Sequence, residues 1–242
     1  MKNLSKVFWL FMALSASVVM FNSCKKTEPN TLTPTTDPGV VINGVKWATR
    51  NLDVGGTFVE KTEDYGALYQ WGRKADGHES YTSTTTSMLS NTDSPNHSNF
   101  IITQSGNFDW RSPQNDALWN AGTETAPVKS TNDSSPIGWR VPTDTEIQSL
   151  LDASKVTRAW DNTKKGYTFT DIATGKSIFL PAAGYRYSSD GVLVNVGTGG
   201  YYWSNTPYSI YARDLDFSSN DDANTEGRPA RAVGRSIRCV AD

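Results

Sequence analysis

The sequence predicts an α+β domain in which β-structure dominates. Short, aromatic-rich, β-prone runs recur between turn signals over most of the chain, and only one segment carries the apolar spacing of a helix. A long polar stretch in the middle has neither period. Together these observations point to small antiparallel sheets, one or two helices and long irregular loops.

The chain begins with a short basic region, Lys2 and Lys6, followed by an almost wholly apolar run from Val7 to Phe21. Spanning a bilayer takes about 20 apolar residues, so this shorter run behind a basic start fits a removable signal peptide. Cys24 follows at once behind Ser23, and "NSC" resembles the bacterial lipoprotein cleavage box, from which Phe21 and Asn22 depart. On this reading residues 1–23 are a lipoprotein signal peptide and Cys24 is the lipidated residue; an ordinary secretory signal is the alternative. Each acyl CH2 buried contributes about 0.8 kcal/mol, so several chains on one cysteine anchor a soluble domain firmly. The expected place is the cell envelope, with the protein lipid-anchored to the outer membrane of a Gram-negative bacterium.

Residues 24–39 are rich in Thr and Pro without hydrophobic period and read as a lipid-anchored, flexible tether. The tether contains Glu28-Pro29-Asn30, a match to a calcium-dependent sugar-binding triplet of animal lectins. Three residues in a tether hold no metal geometry, so the match is a coincidence. The balance of 23 Lys+Arg against 25 Asp+Glu, with no cluster of one sign, argues against a nucleic-acid partner.

Residues 40–242 read as a single domain, long enough at about 200 residues for a substantial core. "VVINGVKW", from Val40 to Trp47, is two β-prone runs around Asn43-Gly44, a hairpin signal because both turn residues tolerate positive φ. "YGALYQWG", from Tyr65 to Gly72, reads as an aromatic strand. The polar stretch from Asp76 to Thr131 is broken only by apolar islands at 100–102 and 108–110; so long a loop is functional or an insertion. His78 and His97 fall in it without a cysteine or second histidine at ligand spacing. They read as solvated loop histidines, which leaves a zinc site or a Ser-His-Asp triad without support.

The helix is "VPTDTEIQSLLDAS". Thr143 is the N-cap, Glu146 completes a capping box, Asp144 lies in the first turn, and Ile147, Leu150 and Leu151 form one apolar stripe, with an end expected near Ser154. Beyond it "YTFTDI", "KSIFLPAAGYRY", "VLVNV", "YYWS", "YARDLDF" and "GRSIRCV" alternate with turns and read as antiparallel sheet.

The ordered motifs "INGVKWATRNLD", "GALYQWGR", "GWRVPTDTEIQSLL", "LPAAGYR", "GYYWSNT" and "GRSIRCV" span Ile42 to Val240. In this order they resemble the Fibrobacter succinogenes major paralogous domain family. The resemblance implies a C-type-lectin-like fold, similar in turn to the relatives of formylglycine-generating enzyme. One departure stands out: family members commonly read Asp-Pro-Cys-Pro-x-Gly-Trp-Arg before the helix. This chain reads Asp133-Ser134-Ser135-Pro136-Ile137-Gly138-Trp139-Arg140, with Ser135 in the cysteine's place. With Cys24 lipidated, Cys239 has no partner in the chain; its strand face, shared with Ile237, predicts a buried and inert thiol.

The sulfatase-modifying relatives depend on reactive cysteines and metal ligands, which one spare cysteine does not supply, so no catalytic residue is expected. Asp214, Asp216 and Asp221, with Asn220 and Asp222 nearby, offer hard oxygen ligands for calcium; a solvated acidic turn is the plainer reading, and no other cofactor is implied. The aromatic stretch from Gly199 to Phe217 divides in two. Along "YARDLDF", Tyr211, Arg213, Leu215 and Phe217 alternate with Ala212, Asp214 and Asp216. Trp203, Leu215, Phe217 and Ile237 read as core, while Asn205, Tyr208, Tyr211, Asn220, Asp222 and Arg228 read as a ligand-binding face of the C-terminal loops. The expected function is a non-catalytic ligand-binding or adhesion module that takes a glycan or a protein outside the cell. The alternatives are a structural or tip subunit of a surface appendage or envelope complex, a variable display protein of a diversity-generating retroelement, and an enzyme of unknown reaction.

The anchor is directly testable. In a Triton X-114 partition the wild type is expected in the detergent phase, and Cys24→Ser in the aqueous phase or retained as precursor. Unchanged partitioning of Cys24→Ser removes the lipoprotein reading.

Overall fold

The Asn43-Gly44 turn forms as its sequence predicts, with φ of 44° and 80°. The computed structural model describes residues 36–103, 106–220 and 222–242; Cys24, the expected signal peptide, most of the expected tether and Asp221 lie outside them. In chain order the described elements are β1 (Val40–Ile42), β2 (Val45–Trp47), β3 (Tyr69–Gln70), β4 (Thr85–Thr86), β5 (Phe100–Ile101), β6 (Trp139–Arg140), α1 (Asp144–Ser149), β7 (Val156–Asp161), β8 (Gly166–Asp171), β9 (Ser177–Pro181), β10 (Tyr185–Arg186), β11 (Leu193–Val194), β12 (Gly199–Tyr208), β13 (Tyr211–Ser218), β14 (Gly234–Arg235) and β15 (Val240–Ala241), with a 3-10 turn at Val54–Gly56. They form sheets of order β1-β2-β15-β6, β11-β10-β14-β3 and β7-β8-β9, a β12-β13 ribbon and a β4-β5 pair. All named pairings are antiparallel except β4 with β5. The fold is therefore mostly small antiparallel sheets with one helix, as the sequence predicts at that level.

Two elements are shorter than their sequence signals. Of Tyr65 to Gly72 only Tyr69–Gln70 pairs, because Gly66 and Gly72 both take positive φ and bend the chain out of the strand at either side. The helix ends at Ser149 rather than near Ser154. Its start is as predicted: the Glu146 amide donates to Thr143 Oγ1 at 3.2 Å and the Thr143 amide to Glu146 Oε2 at 2.8 Å. Its end is set by Asp152, whose Oδ1 accepts from the amide and hydroxyl of Ser154 and so offers the backbone a turn in place of another helical residue.

The core lies in two main apolar clusters with the β12-β13 ribbon between them. Tyr202, Leu215 and Phe217 face one cluster, together with Ile147 and Leu150 of the helix and Phe169, Ile178 and Leu180 of the three-stranded sheet. Trp203 and Ala212 face the other, with Trp71, Trp119, Trp139, Ile237 and Cys239. A smaller cluster of Ile101, Trp110, Leu118 and Ala232 lies under the long loop.

That loop is held by polar bonds more than by strands. Arg73, wholly buried, donates to Asp76 and Gln70 side chains and to the carbonyls of His97 and Asn99. Arg231, equally buried, donates to Asp116 and to the carbonyls of Asn115, Ser209 and Tyr211. Arg238 binds Asn51 Oδ1 and the carbonyls of Ala48 and Phe179, joining the first hairpin, the three-stranded sheet and the C-terminal segment.

Cys239 is buried as expected, and burial pushes its thiol up to about 12. Its Sγ lies 3.2 Å from Ser135 Oγ, across 104 positions of sequence.

Two measurements check this packing. Leu150→Ala is expected to destabilise by about 2–5 kcal/mol and Thr143→Ala by about 1 kcal/mol; melts with the opposite order contradict the helix packing. Ser135→Cys is expected to pair with Cys239 under oxidising conditions, protecting both thiols from alkylation and adding roughly 2–4 kcal/mol over the reduced form. Full alkylation after oxidation would show that the two side chains do not meet.

Candidate binding surface

Along most of its length the ribbon is covered on both faces, so its display surface is confined to its ends. A strand rises about 3.3 Å per residue, which places Tyr208 roughly 30 Å from Gly199.

At the open end, Tyr201 stands opposite Asp216, with Gly199 opposite Ser218 on the same face. Gly200 makes the close packing here feasible, since a Cβ at that position would lie 2.1 Å from Phe217 Cζ. The segment after β13 folds back: the Asp216 and Asn224 amides donate to each other's carbonyls at 3.0 and 2.9 Å. The result is a cavity of about 300 Å³ lined by Tyr201, Asp216, Phe217, Ser218 and Asn224, at the lower end of the range for small-ligand sites.

An aromatic wall extends this cavity. Tyr185 meets Tyr201 edge to face with centroids 4.8 Å apart, and Tyr187 follows at 6.3 Å from Tyr185. The Tyr201 hydroxyl accepts from Asn195 Nδ2 at 2.6 Å. Beneath the wall the Arg235 guanidinium lies 5.1 Å from the Tyr201 ring and 5.2 Å from the Trp203 ring, and is paired with Asp214. Tyr187 is 45% exposed, enough to offer one ring face to a ligand. Ring faces beside a carboxylate and an amide suit a pyranose, whose C–H face is apolar and whose hydroxyls need donors and acceptors.

The expected binding face is thus divided. Tyr208 and Tyr211 pair across the hairpin tip, where Arg228 lies over the Tyr208 ring, while Asn220 and Asp222 are exposed beyond the other end. Asp222 Oδ2 pairs with Arg158 at 2.7 Å. Tyr211 is half-buried, its ring 5.0 Å from Phe108.

Asn205 is a correction: it is 1% exposed and donates to the Val141 carbonyl, because the bulge between Trp203 and Pro207 turns this part of the strand inward. Asp214 is a second, since its carboxylate is wholly buried against Arg235 and cannot join Asp216 on a calcium ion; burial pushes it up to about 6 despite the nearby guanidinium. Asp221 lies outside the described residues.

His78 is a third correction. The ring is completely buried: Nε2 accepts from the Gln70 amide at 3.0 Å, so Nδ1 carries the proton toward Asp76 Oδ1 at 2.8 Å. Burial lowers its pKa, against the pull of Asp76. Asp76, His78 and Glu79 are close enough to hold a metal ion. Glu79, however, accepts from the Gly55, Asp76 and Gly77 amides, and both ring nitrogens of His78 are engaged, so the cluster staples a turn. His97 is half-buried and its Nδ1 accepts from the Asn99 amide.

Tyr185, Tyr187, Tyr201, Asn195 and Arg235 were not expected at a site. The spacing of "GYRY" puts Tyr185 and Tyr187 on one face, but nothing local says that Tyr201 joins them. Among the described residues no helix is long and apolar enough to cross a membrane. No family model, curated protein or solved structure matches the chain.

Proposed function

We propose that the protein is a cell-envelope lipoprotein, anchored through Cys24, whose domain of residues 40–242 binds a glycan outside the cell without chemistry. The observation that carries this reading is the Tyr185–Tyr187–Tyr201 wall beside the cavity at Asp216 and Asn224. A glycan is preferred to a protein ligand because a stable protein interface buries about 1,000 Å² or more, whereas this concavity of about 300 Å³ is lined by five residues. We further assign the domain to the C-type-lectin-like fold of the Fibrobacter succinogenes major paralogous family. In support, Ser135, at the position where that family carries a cysteine, touches Cys239. A binding role also accords with the fate of three perturbed groups: His78, Asp214 and Cys239 are buried among structural partners.

A second reading, as a subunit of an envelope complex, draws on the edge strand β11. Val192, Leu193, Val196 and Tyr187 expose apolar surface along or beside it. Co-purification with a filament or complex in mild detergent would favour that reading.

A glycan array probed with detergent-purified protein should identify a neutral ligand. Tyr201→Ala and Tyr187→Ala are then expected to weaken it by about 2 kcal/mol or more. Tyr187→Ala should shift stability by no more than roughly 0.5 kcal/mol, whereas Leu215→Ala should cost about 2–5 kcal/mol. Folded Tyr201→Ala and Tyr187→Ala proteins that bind as well as wild type would remove this surface from consideration.

A further inference from the structure

Nine of the eleven arginines among the described residues donate to a carboxylate or carbonyl oxygen: Arg50, Arg73, Arg111, Arg140, Arg158, Arg186, Arg231, Arg235 and Arg238. Among those residues Arg213 and Arg228 do not, and these two meet at one tyrosine. Their guanidinium carbons lie 4.0 and 4.8 Å from the centre of the Tyr208 ring, at the tip of the β12-β13 hairpin.

The arrangement has a physical cost that no hydrogen bond to a carboxylate offsets among the described residues. An aromatic face attracts each cation, but it carries no net charge, so two like charges remain close together. On the helix side Asp144 is close enough for the charge of Arg213 to act on it, but neither Asp144 nor Glu124 hydrogen-bonds to the pair. Asp144 Oδ2 accepts from Gln148, and Glu124 accepts from the Thr145 amide and the Thr206 hydroxyl. Arg228 is exposed and Arg213 half-buried, so the pair opens to solvent with its N–H groups unclaimed among the described residues. Guanidinium forks match the oxygens of a carboxylate or sulfate in geometry as well as charge.

We propose that the hairpin tip is an oxyanion subsite, in which Arg213 and Arg228, ordered by the Tyr208 ring, hold the carboxylate or sulfate of an acidic saccharide. That the oxyanion is borne by a saccharide rests on the glycan reading above; that the tip takes an oxyanion does not. The subsite lies at the far end of the ribbon from the tyrosine wall, so the two are separable by mutation.

The test uses full-length protein in detergent with three probes: an oligogalacturonide, a heparin hexasaccharide and the soluble lipid dihexanoyl phosphatidylglycerol. At least one acidic saccharide is expected to bind. Its Kd should rise at least tenfold in Arg213→Gln/Arg228→Gln and with added salt, and stay within twofold of wild type in Tyr201→Ala. Arg228→Glu, a change at an exposed position, gives the same loss if the double variant fails to fold. Failure of both saccharides to bind, or equal binding by wild type and a folded arginine variant, overturns the proposal. Binding of the lipid alone overturns the saccharide assignment. Loss of acidic-saccharide binding in Tyr201→Ala, with the arginine variants unaffected, transfers the site to the tyrosine wall. A neutral glycan that binds through Tyr201 while both acidic saccharides fail leaves the function proposed above standing and this inference refuted.

Discussion

Three buried guanidinium groups hold together what the short strands alone could not. Arg73, Arg231 and Arg238 expose 0–1% of their surface; Arg231 and Arg238 each bond to carbonyls of two segments distant in sequence, and Arg73 to the carbonyls of His97 and Asn99 in the long loop. Burying a charge costs several kcal/mol unless its donors are satisfied. Here that cost is offset by carbonyl groups that would otherwise be buried without partners, in loops with no ladder to receive them. Lysine could not substitute, since its single nitrogen lacks the spread of five donors on a planar fork. Two of the three cations also lie over tryptophan rings: Arg73 over Trp110 and Arg231 over Trp71. The polar clamp and the apolar clusters are thus parts of one packing arrangement.

This constraint shapes the ribbon and hence the surfaces available for binding. Arg231 fixes the tip through the Ser209 and Tyr211 carbonyls, while Arg235, paired with Asp214, lies under the tyrosine wall. Between them both faces are covered, one by each main apolar cluster. A long, aromatic ribbon is therefore mostly scaffold. It presents two separate surfaces of different chemistry: ring faces with amide and carboxylate at one end, and two cations that donate to no carboxylate among the described residues at the other.

The same distinction applies to the ionisable groups. His78 lies next to two carboxylates, an arrangement that taken alone suggests catalysis or a metal. The main-chain bonds to its Nε2 and to Glu79 give it a structural task, that of holding a glycine-containing turn against β3. Proximity of reactive types is weaker guidance than the count of atoms left without a partner. By that count the arginine pair at the tip is the more informative cluster.

The sequence by itself determined the local features whose causes lie within a few residues. These include the Asn43-Gly44 turn, the Thr143–Glu146 capping box, the alternation along Tyr211 to Phe217 and the burial of Trp203, Leu215, Phe217, Ile237 and Cys239. Only the tertiary structure decided the burial of Asn205, Asp214 and His78, for a polar side chain looks solvated until its partner is known. Those partners are Val141, Arg235 and Gln70. The Tyr185–Tyr187–Tyr201 wall and the division of the binding face were likewise illegible, since they depend on which strands become neighbours. That choice is made by non-local packing and by guanidinium bonds spanning up to 190 positions, which no local period encodes.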